Sequence, residues 1–457
     1  MDNEQSSSAQ ESAKGSSVGG STVKKWRCLI CGQVFEGDSP PDPCPVCGAS
    51  AKYFEQVVEV EEAPAFSSNS PDRFVIVGGG IAAKEAAGSI RQRNQAAHIT
   101  IVSSEDNLPY NRPGLSDLLA GEVAPNSLSL DEENWYKRNQ IDVRLSTYVD
   151  ALDTQKKLIH LQDGSSLPFD KLLLATGASP FIPVADAAGK KNVRTLRTLK
   201  DALELVDTSK ACRRAVIVGG GILGLEAAWA LRQRGLSITI VEFAPRLMSV
   251  QLDERGSAIL QAQLDSLAVP YRTGRRVDDV TDTGVVLDNG DSIDADLVLF
   301  SSGVRSNIAL AQQAGIQVER GIVTNSLMET SVPGIYAAGD CAQVDGSCLA
   351  LWPIAAAHGQ AAGANMAGDW VVLKPQIPSS VFEAFNMQIF SAGDIREGDD
   401  TSTFIYNDSE NKIYKKVVLK HKKIVGGLLI GDTEKGTDLL RAVESGSGST
   451  VALEILG

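Results

Sequence analysis

Two stretches decide the fold: FVIVGGGIAAKEAAGSIRQRNQAAHITIV at residues 74–102 and AVIVGGGILGLEAAWALRQRGLSITIV at residues 215–241. Each reads as an apolar strand, a glycine turn, an alanine-rich helix and a second apolar strand. Repetition of such a unit more than 140 residues later points to two nucleotide-binding domains and not to a solenoid. A lone G-x-G-x-x-G is weak and its bland reading is an ordinary strand-to-helix turn. Here both copies have the context the mechanism needs, with the glycines between strand and helix. In the second copy Gly219 allows the tight turn, Gly221 the approach of a pyrophosphate and Gly224 close helix–strand packing. Glu242 stands 18 residues beyond Gly224 at the end of the next strand, where a carboxylate accepts from ribose hydroxyls and repels a 2′-phosphate. No arginine immediately follows it, so NADH is expected over NADPH. The first copy has Gly78, Gly80 and Ala83, and its second strand runs into Ser103, with Glu105 the next carboxylate. Glu105 is the preferred partner of the ribose in that copy, with Ser103 the alternative.

Around these units the chain has the balance of a globular protein: 457 residues, 43% apolar and 22% charged, enough for three or four domains. A net charge of −14 argues against nucleic acid and against an anionic membrane surface as partners. No apolar run approaches membrane-spanning length. The polar, Ser-rich opening is not a secretory signal, and residues 1–22 read as a disordered tail. Of seven cysteines, Cys212, Cys341 and Cys348 are scattered and odd in number. That suits a reducing, cytoplasmic compartment better than a disulfide framework.

The other four cysteines fall within 20 residues, as Cys28-Leu29-Ile30-Cys31-Gly32 and Cys44-Pro45-Val46-Cys47-Gly48. A two-residue gap lets both thiolates of each knuckle reach one ion, and the following glycine lets backbone N–H groups turn toward the sulfurs. Residues 23–58 offer few core candidates, chiefly Trp26, Phe35, Tyr53 and Phe54, so metal binding must supply much of the folding free energy. Four thiolates suit zinc and iron alike, and spacing alone leaves both open. Residues 59–71 (EVEEAPAFSSNSP) read as a flexible linker spanning about 20 Å r.m.s. and ~45 Å at full stretch. Residues 373–457 change to alternating strands followed by one helix, TDLLRAVES, a small α+β domain.

The string WRCLICGQVFEGDSPPDPCPVCGASAKYFEQV (26–57) closely resembles the short rubredoxin domain at the end of rubrerythrins, which implies one iron cycling by one electron. From Arg73 to about Gly368 the chain resembles flavoproteins with two dinucleotide-binding domains, and within them NADH:rubredoxin oxidoreductases and their nitrite-reductase-like relatives. The strings that carry this are PYNRPGLSDLLAGE (109–122), LLLATGASP (172–180), RGIVTNSLMETSVPGIYAAGDCAQ (320–343) and LWPIAAAHGQAAGANMAG (351–368), and the likeness continues through IFSAGDI (389–395) and LLIGDTEKGTDLLRAV (428–443). The resemblance implies a multidomain chain. Its parts are a rubredoxin-like module (23–58), an α/β FAD-binding domain in two segments (72–187 and 304–372), an α/β NAD-binding domain (188–303) and a C-terminal α+β domain (373–457).

By the same likeness Gly339 and Asp340 meet the FAD ribityl and pyrophosphate, and Thr176-Gly177 lies at the crossing between domains. Asn111, Arg112 and Pro113 line the flavin, and Trp352-Pro353 opens a helix whose dipole favours negative charge on reduced flavin. Glu226 lies near the nicotinamide, and Gly303 belongs to the same cofactor's site. Departures from the pattern are Asp117, where relatives often carry Lys, Ser306, where Pro is common, and His358, often Gln and read here as structural. Disulfide and single-cysteine subfamilies are disfavoured, because neither redox pair nor lone cysteine occurs where they need one; Cys341 and Cys348 are read as packing residues. Electrons are then expected to pass from NADH through FAD to the module's iron. From there they would go to an external oxygen- or peroxide-reducing iron protein of flavodiiron, rubrerythrin or superoxide-reductase type. Rival readings are an NADH oxidase or diaphorase with a structural zinc ribbon, and a redox-sensing protein that docks through the module.

Overall fold

A computed structural model describes residues 24–28, 34–42, 44, 51–57 and 66–457. The tail 1–22, Cys31, Cys47 and residues 58–65 of the linker lie outside the described residues. Each fingerprint unit sits at the centre of its own five-stranded parallel sheet. The first sheet runs in the order Ile335–Ala337, Lys171–Leu174, Arg73–Val77, His98–Val102, Ile141–Arg144. The second runs Val193–Thr195, Leu297–Phe300, Arg214–Val218, Ser237–Glu242, Tyr271–Thr273. Their central strands are buried along nearly their whole length, which is why they are continuous apolar runs and not alternating ones.

Ile335–Ala337 pairs in parallel with Lys171–Leu174, so a strand from beyond residue 303 completes the sheet begun near residue 73. Helix packing makes the same join. Helix Ile81–Arg93 lies against helix Trp352–Met366, and small residues let their backbones approach. A Cβ on Gly359 would stand 2.3 Å from the Ala82 carbonyl oxygen, and one on Gly363 2.4 Å from that of Ala86. Across from this body, Ala178–Pro180 and Val304–Ser306 form a two-stranded antiparallel crossing between the two nucleotide-binding halves.

The C-terminal domain is an antiparallel sheet in the order Ser379–Ala384, Met387–Gly393, Lys423–Ile430, Ile413–Lys420, Thr401–Asp408. Two helices follow it, Gly436–Ser445 and Ser449–Leu456, where one was expected. The second was missed because Gly446, in a left-handed conformation (φ 62°), and Gly448 make the intervening stretch read as a terminus. Asp253 caps helix Glu254–Ser266 by accepting from the Gly256 N–H at 2.8 Å, and it also accepts from Tyr414 Oη and Lys416 Nζ, fastening this domain to the second sheet unit. No described helix is long and apolar enough to cross a membrane.

In the N-terminal module, Lys25–Cys28 is the middle strand between Val34–Glu36 and Phe54–Val57. It rests on the C-terminal domain: Cys28, Cys44 and Tyr53 belong to one apolar cluster with Phe390, Leu429 and Leu439. The described end of the linker is not a free tether. Ser68 N–H donates to Arg93 O at 2.7 Å, Asn94 Nδ2 donates to Ser70 O at 2.9 Å, and Phe66 lies against Gly368. Those backbone groups find partners on the first domain, which corrects the expectation of flexibility for residues 66–71.

Replacement of Gly363 by Ala tests the helix contact. The added methyl meets backbone, so a loss of roughly 1–3 kcal/mol is expected. It would be seen as a lower urea midpoint at unchanged slope.

Candidate functional site

A single cavity of about 1330 Å³ runs from the first fingerprint to the second, larger than the ~300–1,000 Å³ of an ordinary small-ligand pocket. Of the residues expected at a flavin, Gly78, Gly80, Glu105, Arg112, Pro113, Thr176, Gly177, Gly339, Asp340, Trp352 and Pro353 line it. Of those expected at a nicotinamide, Gly221, Glu226 and Gly303 do. Ala83, Asn111, Gly219, Gly224 and Glu242 are not part of that lining. Ala83 is fully buried at the helix–sheet contact, and Asn111 is buried with its N–H donating to Leu128 O at 2.7 Å.

The fingerprint glycines divide their work as the chemistry requires. Gly78 (φ +131°) and Gly219 (φ +123°) take conformations other residues resist, and a Cβ on them would lie 2.0 and 2.2 Å from the carbonyl oxygens of Ala175 and Ser301. Gly80 and Gly221 face open space, the side from which a dinucleotide's phosphates reach the turn. Glu242 ends its strand with both oxygens held, accepting from the Gly220 N–H at 2.5 Å and the Ala244 N–H at 2.6 Å. Its carboxylate is thereby fixed beside the second turn.

At the first cofactor's end, Arg112 pairs with Glu105 and donates to the Arg197 carbonyl at 3.0 Å, while Tyr110 Oη donates to the other Glu105 oxygen at 2.7 Å. Ser103 Oγ accepts from the Glu105 N–H at 3.2 Å and so shapes the same loop. Arg197 pairs with Asp340 at 2.5 Å. Sequence reasoning missed Arg197 because no motif surrounds it; only its fold neighbours give it a role. Trp352 Nε1 is a buried donor with no partner among the described residues, and it opens the helix whose start faces the cavity. A flavin offers an acceptor of the kind this N–H lacks, so the residues present fit the group. His358 is buried, and burial pushes its pKa down to about 4, which keeps it neutral in its structural place.

The nicotinamide end is acidic. Burial, followed by the nearby charge of Asp117, pushes Glu226 up to about 8. Burial and then Glu122 and Glu383 push Asp117 up to about 6. All four carboxyls line the cavity, and Ser116 Oγ lies 3.5 Å from Glu226 Oε2. Asp117 therefore belongs to a like-charge cluster with Glu226, Glu122 and Glu383. Burial and this mutual repulsion keep Glu226 and Asp117 protonated to higher pH than usual.

Cys341 is fully buried with Sγ 3.3 Å from the Leu174 and Ala338 carbonyls, and burial pushes its thiol up. Cys348 is partly buried, its thiol raised for the same reason. Cys212, Cys341 and Cys348 form no disulfide. Among the described residues no cation acts on Cys341, and at Cys348 burial outweighs the pull of Arg320. A different cysteine does reach the cavity, Cys44 of the N-terminal module. Cys28, the other described cysteine of the module, lies in the adjoining cluster, against which Trp352 packs.

The raised Glu226 carries a stability consequence. Its folded pKa lies above the unfolded one, so the stability it allows is complete below about pH 4.5 and is lost as pH rises through about 8. In the cofactor-stripped chain Glu226→Gln should melt close to wild type at pH 5. At pH 9 it should melt higher by on the order of 5 °C in thermal denaturation.

Comparison with known proteins agrees with this geometry. Residues 72–359 match the family described as pyridine nucleotide-disulphide oxidoreductase. Residues 378–447 match the rubredoxin NAD+ reductase C-terminal domain, and residues 26–55 the rubredoxin-like domain of rubrerythrin. The chain is 33% identical over 380 residues to the nitrite reductase [NAD(P)H] of Bacillus subtilis, covering 81% of this chain and 47% of that protein. It thus spans about half the length of such relatives. It is 32% identical to the NADH-rubredoxin oxidoreductase of Clostridium acetobutylicum, covering 82% of this chain and 94% of that one. The crystal structure of an NADH:rubredoxin oxidoreductase from that organism superposes with a TM-score of 0.71 at 30% identity, covering 84% of this chain and 99% of the other. The chain belongs to the pyridine nucleotide-disulphide oxidoreductase family, with a rubrerythrin-type rubredoxin-like domain before its nucleotide-binding domains and a rubredoxin-reductase C-terminal domain after them.

Proposed function

We propose that this chain is an FAD-dependent NADH:rubredoxin oxidoreductase whose own N-terminal module, holding iron on Cys28, Cys31, Cys44 and Cys47, is the first one-electron acceptor. An external iron protein of oxygen- or peroxide-reducing type would take the electrons onward. The observation that carries this reading is Cys44 in the wall of the cavity that also holds the fingerprint glycines, Glu226 and Trp352. A purely structural zinc ribbon has no need of a thiolate there. Bound FAD would supply the conversion between two-electron hydride chemistry and one-electron release.

The chain's residues supply position and charge. Backbone N–H groups at the Gly78–Gly80 turn and the start of helix Ile81–Arg93 hold phosphate, and Arg112 and Arg197 offset its charge. Asn111 would support this wall from behind and Thr176-Gly177 would span the crossing. The Gly219–Gly224 turn and Glu242 hold the second dinucleotide by its pyrophosphate and ribose. Glu226, protonated near neutrality, can donate a hydrogen bond as well as accept one at the nicotinamide end. Cys341 and Cys348 take no part, since burial raises each thiol, outweighing for Cys348 the pull of Arg320.

Three outcomes follow. NADH should exceed NADPH in kcat/KM by at least about tenfold, the ~1.4 kcal/mol of one good charged contact, and equal rates would remove the role given to Glu242. Metal analysis should find one iron per chain, and anaerobic NADH titration should reduce the flavin and then bleach the iron's visible bands; one zinc, or an iron that stays oxidised, would favour a structural ribbon. Cys341→Ser and Cys348→Ser should each leave NADH reduction of the flavin within a few-fold of wild type. A loss beyond about a hundredfold with folding intact would expose a redox thiol.

A further inference from the structure

The second strand-and-turn of the module, Ala51–Val57, is held by a surface of the C-terminal domain that is shaped for it. Tyr53 is fully buried there. Its ring stacks on Phe390 with centroids 5.9 Å apart and planes 16° from parallel, and its hydroxyl donates to the Thr433 carbonyl at 3.2 Å. Room for the ring depends on Gly436: a Cβ at that position would stand 2.9 Å from Tyr53 Cε1 and 2.9 Å from Phe390 Cγ. Charges on the two sides are complementary. Lys52 Nζ donates to Thr433 Oγ1 at 2.9 Å, close to the negative charges of Glu383 and Asp432. In the other direction Arg441 pairs with Glu55 at 3.0 Å.

This seat has a consequence for the cavity. Cys44 lines the cavity, and Trp352 both lines it and packs against the cluster containing Cys44 and Tyr53. The module is thus seated with Cys44 in the wall of the cavity that holds the fingerprint glycines.

We propose that the Phe390–Thr433–Gly436–Arg441 surface is a docking cradle for the chain's own module, and that the module receives electrons in this docked pose. This rests on the electron-transfer reading above and specifies where the transfer happens. In the pose the module takes one electron at a time, iron(III) becoming iron(II), from a flavin that has gained two electrons from NADH. The second follows once an external carrier has reoxidised the iron. Docking, and not diffusion on the linker, then sets the rate of the intramolecular step. Because the described half of the linker is itself fixed to the first domain, the free length available for swinging is short.

The test uses the full chain loaded with FAD and iron, with two readouts: amide hydrogen exchange over residues 51–57 and 433–443, and anaerobic stopped-flow after mixing with NADH. Wild type should protect both segments and bleach its iron at a rate independent of protein concentration. Arg441→Glu should lower the protection and slow iron bleaching at least tenfold, leaving flavin reduction and NADH–dye turnover unchanged. Adding Glu55→Arg to it should restore both protection and rate. Gly436→Leu, which fills the space for the Tyr53 ring, should act like Arg441→Glu but without rescue by Glu55→Arg. Loss of protection with an unchanged iron rate would overturn the proposal in favour of a swinging tether, as would a wild-type chain with no protection of residues 51–57. Iron that stays oxidised in wild type, with protection intact and flavin fully reduced, would instead overturn the electron-transfer reading itself.

Discussion

Everything at the site depends on the backbone contact between helix Ile81–Arg93 and helix Trp352–Met366. The residues around the first cofactor come from segments separated by more than 200 positions in the chain, and this contact, with the pairing of Ile335–Ala337 in the first sheet, brings Gly78 and Gly80 to the same wall as Gly339, Asp340 and Trp352. It is possible because Gly359 and Gly363 present no side chain to the Ala82 and Ala86 carbonyls. Dispersion over such an interface is large in sum although each atom pair contributes little, and it falls steeply when the backbones are held apart by even one methyl. The parallel pairing of Ile335–Ala337 with Lys171–Leu174 then fixes the register of the returning segment.

The electrostatics of the cavity show a division between its two ends. At the first fingerprint every strong charge is matched, Arg112 by Glu105 and Arg197 by Asp340, so the wall keeps its shape before any ligand arrives. At the second, Glu226, Asp117, Glu122 and Glu383 line one stretch of wall, and among the described residues only Glu383 of the four is shown with a cation, Lys52, acting on it. A cluster of this kind is held by surrounding packing, and it relieves itself by keeping protons. The field of whatever charge remains favours positive charge beside the second fingerprint. Asp117 adds to that field, where a lysine would have opposed it.

Much of this was legible in the sequence, and the reason is local. The strand–glycine–helix units are specified by residues within about 30 positions of one another, so their glycine roles can be read without knowing the fold. The apolar runs 74–77 and 215–218 announced buried parallel strands for the same reason. What could not be read involves distant partners. Lys415 and Lys416 look like a solvated stretch, yet both are buried because Asp432, Asp253 and Glu397 come to meet them. Arg197 sits in no motif and acquires its place from Asp340, 143 positions away. Residues 66–71 carry the composition of a linker, but composition cannot report that Arg93 and Asn94 offer their backbone groups partners.

Tyr53 joins these two kinds of information. In sequence it is one of four aromatics that a 35-residue module needs for a core, and that requirement is visible from the module alone. The structure shows it buried against another domain, so the module borrows its core from the C-terminal sheet. That burial pushes the Tyr53 hydroxyl up to about 12 and leaves it a neutral donor to the Thr433 carbonyl. A module too small to bury its own aromatics gains stability by seating them in a neighbour. The neighbour that offers Phe390 and Gly436 also carries the edge strand Ser379–Ala384, whose residues 379–381 line the cofactor cavity. The seat that completes the module's core is therefore also the one that places Cys44 in the wall of that cavity.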